Sequence, residues 1–84
     1  MTYRIRFTRQ AAKDVKKLTP KLREKLKDIL RRRLAVDPYA GKALAGDLKG
    51  FYSVRLSYAD RIVYSIHDDE LVVLGVRART HYGD

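Results

Sequence analysis

Chemistry in this chain is concentrated in arginines on two short alternating stretches and in an unusual ending. The stretch Gly50-Phe51-Tyr52-Ser53-Val54-Arg55-Leu56-Ser57-Tyr58-Ala59-Asp60-Arg61-Ile62-Val63-Tyr64 alternates apolar and polar residues on both sides of a polar break. Read as a β-hairpin, it puts Tyr52, Val54 and Leu56 on one face with Ile62, Tyr64 and Ile66. Arg55 and Arg61 are left together on the other, because side chains change face at every residue. The chain ends Arg77-Ala78-Arg79-Thr80-His81-Tyr82-Gly83-Asp84, directly after an apolar stretch. Chain ends are normally small and polar; this one carries two arginines, a histidine and a tyrosine. His81 has the one side-chain type that exchanges a proton near neutral pH without help. Guanidinium groups, one imidazole and a phenol fit cleavage of RNA by its own 2′-hydroxyl. A base takes the 2′-OH proton, the oxygen attacks the neighbouring phosphate, arginines stabilise the extra negative charge, and an acid protonates the departing 5′-oxygen. The tyrosine stacks on a base or positions the phosphate. Nothing in this scheme calls for a metal or a cofactor.

Several elements must position these groups. Tyr3-Arg4-Ile5-Arg6-Phe7 alternates strictly and predicts a strand with Tyr3, Ile5 and Phe7 facing the core. Thr8 is placed to cap a first helix, whose stripe is Ala11, Ala12, Val15 and Leu18. Thr19-Pro20 ends it and starts a second, with Thr19 as cap and Pro20 in the first turn. Leu22, Leu26, Ile29, Leu30 and Leu34 carry that helix to about Leu34 or Val36. Its many cations, among them Arg31 and Arg32, read first as a solvated face and second as a ridge that docks nucleic acid or a partner; Lys13, Lys16 and Lys17 decorate the first helix. A loop runs from Asp37-Pro38 to Gly50, with Leu44 and Leu48 as anchors. Gly41 and Gly46 have part of the spacing of a phosphate-binding loop, but Asp47-Leu48 stands where Lys and Ser or Thr are needed, so nucleotide binding is rejected. The last strand, Leu71-Val72-Val73-Leu74-Gly75-Val76, is apolar on both faces and is expected to be central. His67-Asp68-Asp69-Glu70 is the turn before it. A three-residue turn puts Val72, Leu74 and Val76 in the core and Arg77 across from Arg61; a two-residue turn reverses the parity.

The chain of 84 residues is expected to form one domain, residues 1–84, around one modest core. Nineteen Lys and Arg against ten Asp and Glu give a net charge of +9. Self-repulsion on that scale points to a polyanionic partner. There is no cysteine, which removes disulfides and thiolate metal sites and fits a reducing compartment. No apolar run approaches the roughly 20 residues of a membrane span, and the N-terminus lacks a signal-peptide core. No membrane role and a cytoplasmic location are therefore expected.

The order strand, two helices and three further strands, together with Leu48-Lys49-Gly50-Phe51-Tyr52-Ser53-Val54-Arg55-Leu56 and Tyr58-Ala59-Asp60-Arg61-Ile62-Val63-Tyr64, resembles the RelE/ParE superfamily of bacterial toxins. The resemblance extends over nearly the whole chain. The ending Arg79-Thr80-His81-Tyr82 is similar to that of the YoeB branch. The resemblance implies an α+β fold, β-α-α-β-β-β, with two helices on a four-stranded, largely antiparallel sheet. It implies a metal-independent messenger-RNA endonuclease that cuts in the A site of the 70S ribosome and inhibits translation. It also implies an acidic RelB- or YefM-like antitoxin partner, whose tail folds on the basic surface. Arg61 matches the phosphate-stabilising arginine and Arg55 a basic position on the preceding strand. His81 matches the general acid, Tyr82 the terminal RNA-contacting tyrosine and Arg79 the arginine of the ending, with Arg77 as its substitute in another register. The glutamate base of the YoeB branch has no counterpart in the loop before the hairpin, and Ser53 stands where RelE-type enzymes carry a lysine. Asp47, Lys49 or a ribosomal group are the candidates for the base; Lys49 and Arg77 are also expected to bind RNA. Two other readings share these residues: a ParE-like inhibitor of DNA gyrase, and a non-catalytic nucleic-acid binder.

Overall fold

The computed structural model describes residues 2–78, the side chains of Arg77 and Ala78 excepted. The N-terminal alternation becomes β1 (Arg4–Phe7). Thr8 then turns the chain into α1 (Arg9–Lys16), its hydroxyl accepting from the Ala11 N–H at 3.1 Å. Thr19 repeats the device for α2 (Pro20–Asp28), with Pro20 in the first turn, where a missing N–H costs nothing. The helical path continues to Leu34, but its last part, Ile29–Leu34, is wound more widely as a π-helix, with the Ala35 N–H on the Leu30 carbonyl. Leu26, Leu30 and Leu34 are all buried along this continuous helical path.

Among the described residues the sheet has five strands, in the order β1-β5-β4-β3-β2, one more than expected. The addition is β2 (Lys42–Ala43), two residues of the loop that pair antiparallel with β3 (Phe51–Arg55). β3 pairs with β4 (Asp60–His67), and β4 with β5 (Glu70–Ala78), both antiparallel; β1 lies parallel against β5. The apolar stripes of the helices cover one face. Ala11, Leu26, Leu30 and Leu34 meet Val54, Leu56, Ile62, Tyr64, Leu71, Val73 and Val76 there. Tyr3 and Ile5 pack against this core, whereas Phe7, expected inside, is 43% exposed at the sheet edge.

The turn between β4 and β5 has two residues, Asp68 and Asp69, with Asp68 at φ 52°. Leu71 and Val73 accordingly face the core. The register then shifts: Tyr64 faces Val73 but Val63 faces Gly75, leaving Leu74 as the extra residue of a β-bulge. Past the bulge the parity is reversed, so Val76 joins the core and Arg77 faces Arg61. Each of the two expected registers holds on its own side of Leu74.

Helix α1 holds that bulge in place. β1 stops at Phe7, and among the described residues no strand lies beside the outer edge of β5 beyond it. Thr8 takes over: its N–H donates to the Val73 carbonyl at 3.0 Å and its hydroxyl to the Leu74 carbonyl at 2.9 Å. Six residues on, the buried Asp14 accepts the Val76 N–H at 3.1 Å, and Gln10 donates to its other oxygen at 2.9 Å. A buried strand N–H must find an acceptor, and here a carboxylate stands in for a sixth strand. The sequence shows Asp14 only as one acid in a basic helix.

Tyr64 ties the long loop to the sheet. Fully buried, its hydroxyl donates to the Pro38 carbonyl at 2.6 Å and accepts the Gly41 N–H at 3.2 Å. A Cβ on Gly41 would collide with that hydroxyl and lie 2.9 Å from the Ser53 carbonyl, so only glycine fits. Tyr52 stacks on Tyr64 at 5.7 Å, and Tyr39 meets Tyr52 edge-on. Burial pushes the Tyr64 phenol above its ordinary pKa. A weak acid whose pKa is raised on folding stabilises the fold fully below the unfolded value of about 10, and that contribution is lost as pH rises through the folded value. Tyr64→Phe, which orphans a carbonyl and an N–H, is expected to cost about 1–3 kcal/mol at neutral pH. Urea titrations at pH 7, 9 and 11 should show a constant deficit up to pH 9 and a smaller one at pH 11. A deficit that does not narrow at pH 11 would show that the phenol does not titrate differently in the two states.

Candidate functional site

The hairpin forms as the alternation requires. Arg55 and Arg61 are direct cross-strand partners, and Arg61 is in turn opposite Arg77. Positions 55, 61 and 77 are therefore in register across β3, β4 and β5, with Arg55 and Arg61 on the face away from the helices. Adjacent strands lie about 4.8 Å apart, and like charges directly opposite each other are unfavourable.

The row is oriented as well as charged. The Arg61 guanidinium reaches diagonally back along β3, its Nη1 3.3 Å from the Ser53 hydroxyl. Ser53 is nearly fully buried, as are Val63 beside it and Ser65 further along β4. The centre of this face is thus closed, and Arg61 lies over it. Ser53, standing where a lysine was expected from the resemblance, holds the arginine by hydrogen bond. A lysine does appear on the face, from elsewhere. Lys42 on β2 is the cross-strand partner of Ser53 and so shares its face. Nothing in the sequence marks it, because two residues between Gly41 and Leu44 are too few to show alternation.

Asp47 lies on an exposed 3₁₀ turn, Gly46–Leu48, and Lys49 follows it. Gly46 at φ 65° and Gly50 at φ 97° bracket this turn in left-handed conformations that favour glycine. The turn precedes Phe51, at the end of β3 away from Arg55. Four residues of strand separate the ends, about 13 Å. Because Arg61 reaches to Ser53, its guanidinium is only two residues, about 7 Å, from that end. Arg79, His81 and Tyr82 lie outside the described residues. The last pair of the β4–β5 ladder, Asp60 and Ala78, lies at the hairpin-tip end of the sheet. Among the described residues no group of three or more His, Cys, Asp or Glu is arranged to hold a metal ion. No helix among them is long and apolar enough to cross a membrane.

A small, strongly basic α+β domain with arginines in register on the sheet face away from its helices has the build of a protein that meets polyanions. Residues 5–82 match the family described as ParE-like toxins of type II bacterial toxin–antitoxin systems, and the chain belongs to it. It is 36% identical to Toxin YoeB of Streptomyces coelicolor, over 94% of this chain and 99% of that protein. Its fold is similar to the toxin–antitoxin complex RelBE2 of Mycobacterium tuberculosis (TM-score 0.83, 32% identity, 94% of this chain and 100% of that one). It is also similar to an arginine double mutant of Escherichia coli RelE in the free state (TM-score 0.78, 27% identity, 93% of this chain and 84% of that one). The protein is thus a YoeB/RelE-like toxin of a type II toxin–antitoxin system, with the two-helix, mostly antiparallel fold expected of it.

Proposed function

We propose that this toxin is a ribosome-dependent endoribonuclease that cleaves messenger RNA in the A site. The observation that carries the reading is the row Arg55, Arg61 and Arg77 across three adjacent strands, with Arg61 fixed by Ser53. A scissile phosphate seated on that row gains a second negative charge as the 2′-oxygen adds to phosphorus. Guanidinium groups held in advance stabilise that charge without reorganising. The O2′–P bond forms, the P–O5′ bond breaks, and the products are a 2′,3′-cyclic phosphate and a 5′-hydroxyl. His81 supplies the proton to the departing O5′; Tyr82 and Arg79 engage the RNA. Asp47, Lys49 or a ribosomal group takes the 2′-OH proton. Lys42 joins the phosphate-binding face. The partner that silences the toxin is an acidic antitoxin of the RelB or YefM kind, drawn by the same positive charge.

Translating ribosomes incubated with the protein, followed by mapping of message 5′ ends, test the reading. Cuts in phase with codons are expected. Intact message, with DNA breaks that depend on gyrase, would overturn it in favour of gyrase inhibition.

A further inference from the structure

The sheet face away from the helices carries more than arginines. Direct cross-strand partners share a face, so Phe51, Ser65 and Val72 form a second row across β3, β4 and β5, on the side of Ser53 and Arg61. Tyr52, next in the chain, turns the other way and packs on the helical core. Phe51 is half-buried, so part of it stays in contact with water. An aromatic residue placed there forgoes some of its burial, and the catalytic scheme gives it no task.

Phe51 is firmly placed and has polar neighbours. Its carbonyl accepts the Leu44 N–H at 2.9 Å on one side of β3, and Ser65 lies opposite it on the other. Its backbone therefore has little freedom left to lose on binding a ligand, which favours recognition. The Ser65 hydroxyl and the His67 Nε2 are 2.8 Å apart. His67 is exposed and two residues further along β4, so its ring leans back to the nearly buried Ser65. A hydroxyl both donates and accepts, and an imidazole does either according to its tautomer. The row thus sets an aromatic ring beside a pair of groups able to hydrogen-bond.

Position supplies the ligand class. The Arg61 guanidinium reaches back along the sheet, its Nη1 3.3 Å from the Ser53 hydroxyl. Phe51 is the next residue of β3 on that face, two positions and about 7 Å from Ser53 in the direction the arginine points. A phosphate received at that guanidinium is one sugar away from a base lying on Phe51. Ser65 is one strand over from Phe51, about 5 Å between Cβ atoms, where the edge of such a base falls. Single-stranded RNA is held in this way on open sheets: bases lie on aromatic rings, their edges are hydrogen-bonded, and cations track the backbone. Lys42, opposite Ser53, adds a cation beside the phosphate position.

We infer that Phe51 is the platform of a nucleobase subsite: a base attached to the phosphate at Arg61 stacks on its ring, with its edge turned to the Ser65–His67 pair. The inference rests on the ribonuclease reading for its ligand, and its test is separate from cleavage. The chain has no tryptophan, so Phe51→Trp gives a single fluorescent reporter on the platform. The probes are an eight-nucleotide adenosine oligoribonucleotide and an abasic oligomer of the same length, at low salt, with binding followed independently by anisotropy of an end label. Quenching of the tryptophan by the adenosine oligomer and not by the abasic one is expected. Phe51→Ala should weaken binding of the adenosine oligomer about tenfold, while Phe51→Tyr binds as wild type. His67→Ala should weaken it about threefold. Neither loss should extend to the abasic oligomer, whose unchanged affinity also shows that the variants fold. Binding by anisotropy without quenching, or equal quenching by both oligomers, overturns the inference and leaves the nuclease reading intact. A His67→Ala protein that binds the adenosine oligomer as wild type overturns the contact to the base edge. Quenching by the adenosine oligomer alone, combined with intact message on ribosomes, supports stacking and sinks the nuclease. No binding of either oligomer overturns the inference together with the nucleic-acid reading beneath it.

Discussion

Arg61→Ala is expected to lower the rate of message cleavage on translating ribosomes by about 10²–10³-fold, the usual loss when one preorganised donor to a developing oxyanion is removed. Arg61 is singled out within the row by its position. It is the middle arginine, flanked on one side by Arg55 and on the other by Arg77. Its Nη1 also lies 3.3 Å from the Ser53 hydroxyl, which orients it back along β3. Arg61→Lys keeps the charge but loses the planar fork that fits two phosphate oxygens at once, so it should recover only part of the rate. Ser53→Ala keeps the arginine and removes its tether; a smaller loss, of about tenfold or less, is expected. The fold should survive all three changes, since Arg61 lies on the face away from the helical core. Thermal unfolding and antitoxin binding check that. A fully toxic Arg61→Ala would show that the row does not hold the scissile phosphate.

How much of this was legible in the sequence differs from element to element. The pairing of Arg55 with Arg61 followed from alternation alone, because a period of two leaves no freedom once one face is buried. Both N-caps were legible for a similar reason: Thr8 and Thr19 each stand immediately before a change of period. The register of β5 was not legible. Its apolar residues suit either face, and the bulge at Leu74 uses both parities in succession. The device that fixes the bulge was hidden as well. Thr8 reads as a cap and is one, but its bonds to Val73 and Leu74 span more than sixty positions of sequence, as does that of Asp14 to Val76. Lys42 was missed because its strand is too short to have a pattern. The loop that carries Asp47 and Lys49 looked unstructured because the group that pins it, the Tyr64 hydroxyl, lies more than twenty residues downstream. Local periodicity thus reveals which residues share a face. It does not reveal the polar contacts between distant segments that decide where a face ends.

The second large effect is expected at His81. Removing a general acid typically costs 10²–10⁴-fold, and His81→Ala should lose about that much cleavage while antitoxin binding is retained. A loss of rate alone does not identify an acid, because a histidine that only binds RNA would also be missed. Two further readouts separate the roles. An acid must be protonated to act, so the wild-type rate should fall as pH rises through the range in which a histidine loses its proton. The slow His81→Ala rate should not show that fall. The second readout uses the leaving group. If the 5′-oxygen at the scissile bond is replaced by sulfur, the departing group is a thiolate, which leaves without a proton. On that substrate His81→Ala should approach the wild-type rate, whereas Arg61→Ala should stay slow, because the charge it stabilises is on the phosphoryl oxygens rather than on the leaving atom. The two residues are then told apart by chemistry and not by the size of their defects. A His81→Ala protein that stays slow on the sulfur substrate would assign His81 to RNA binding and leave the proton donor to be sought elsewhere.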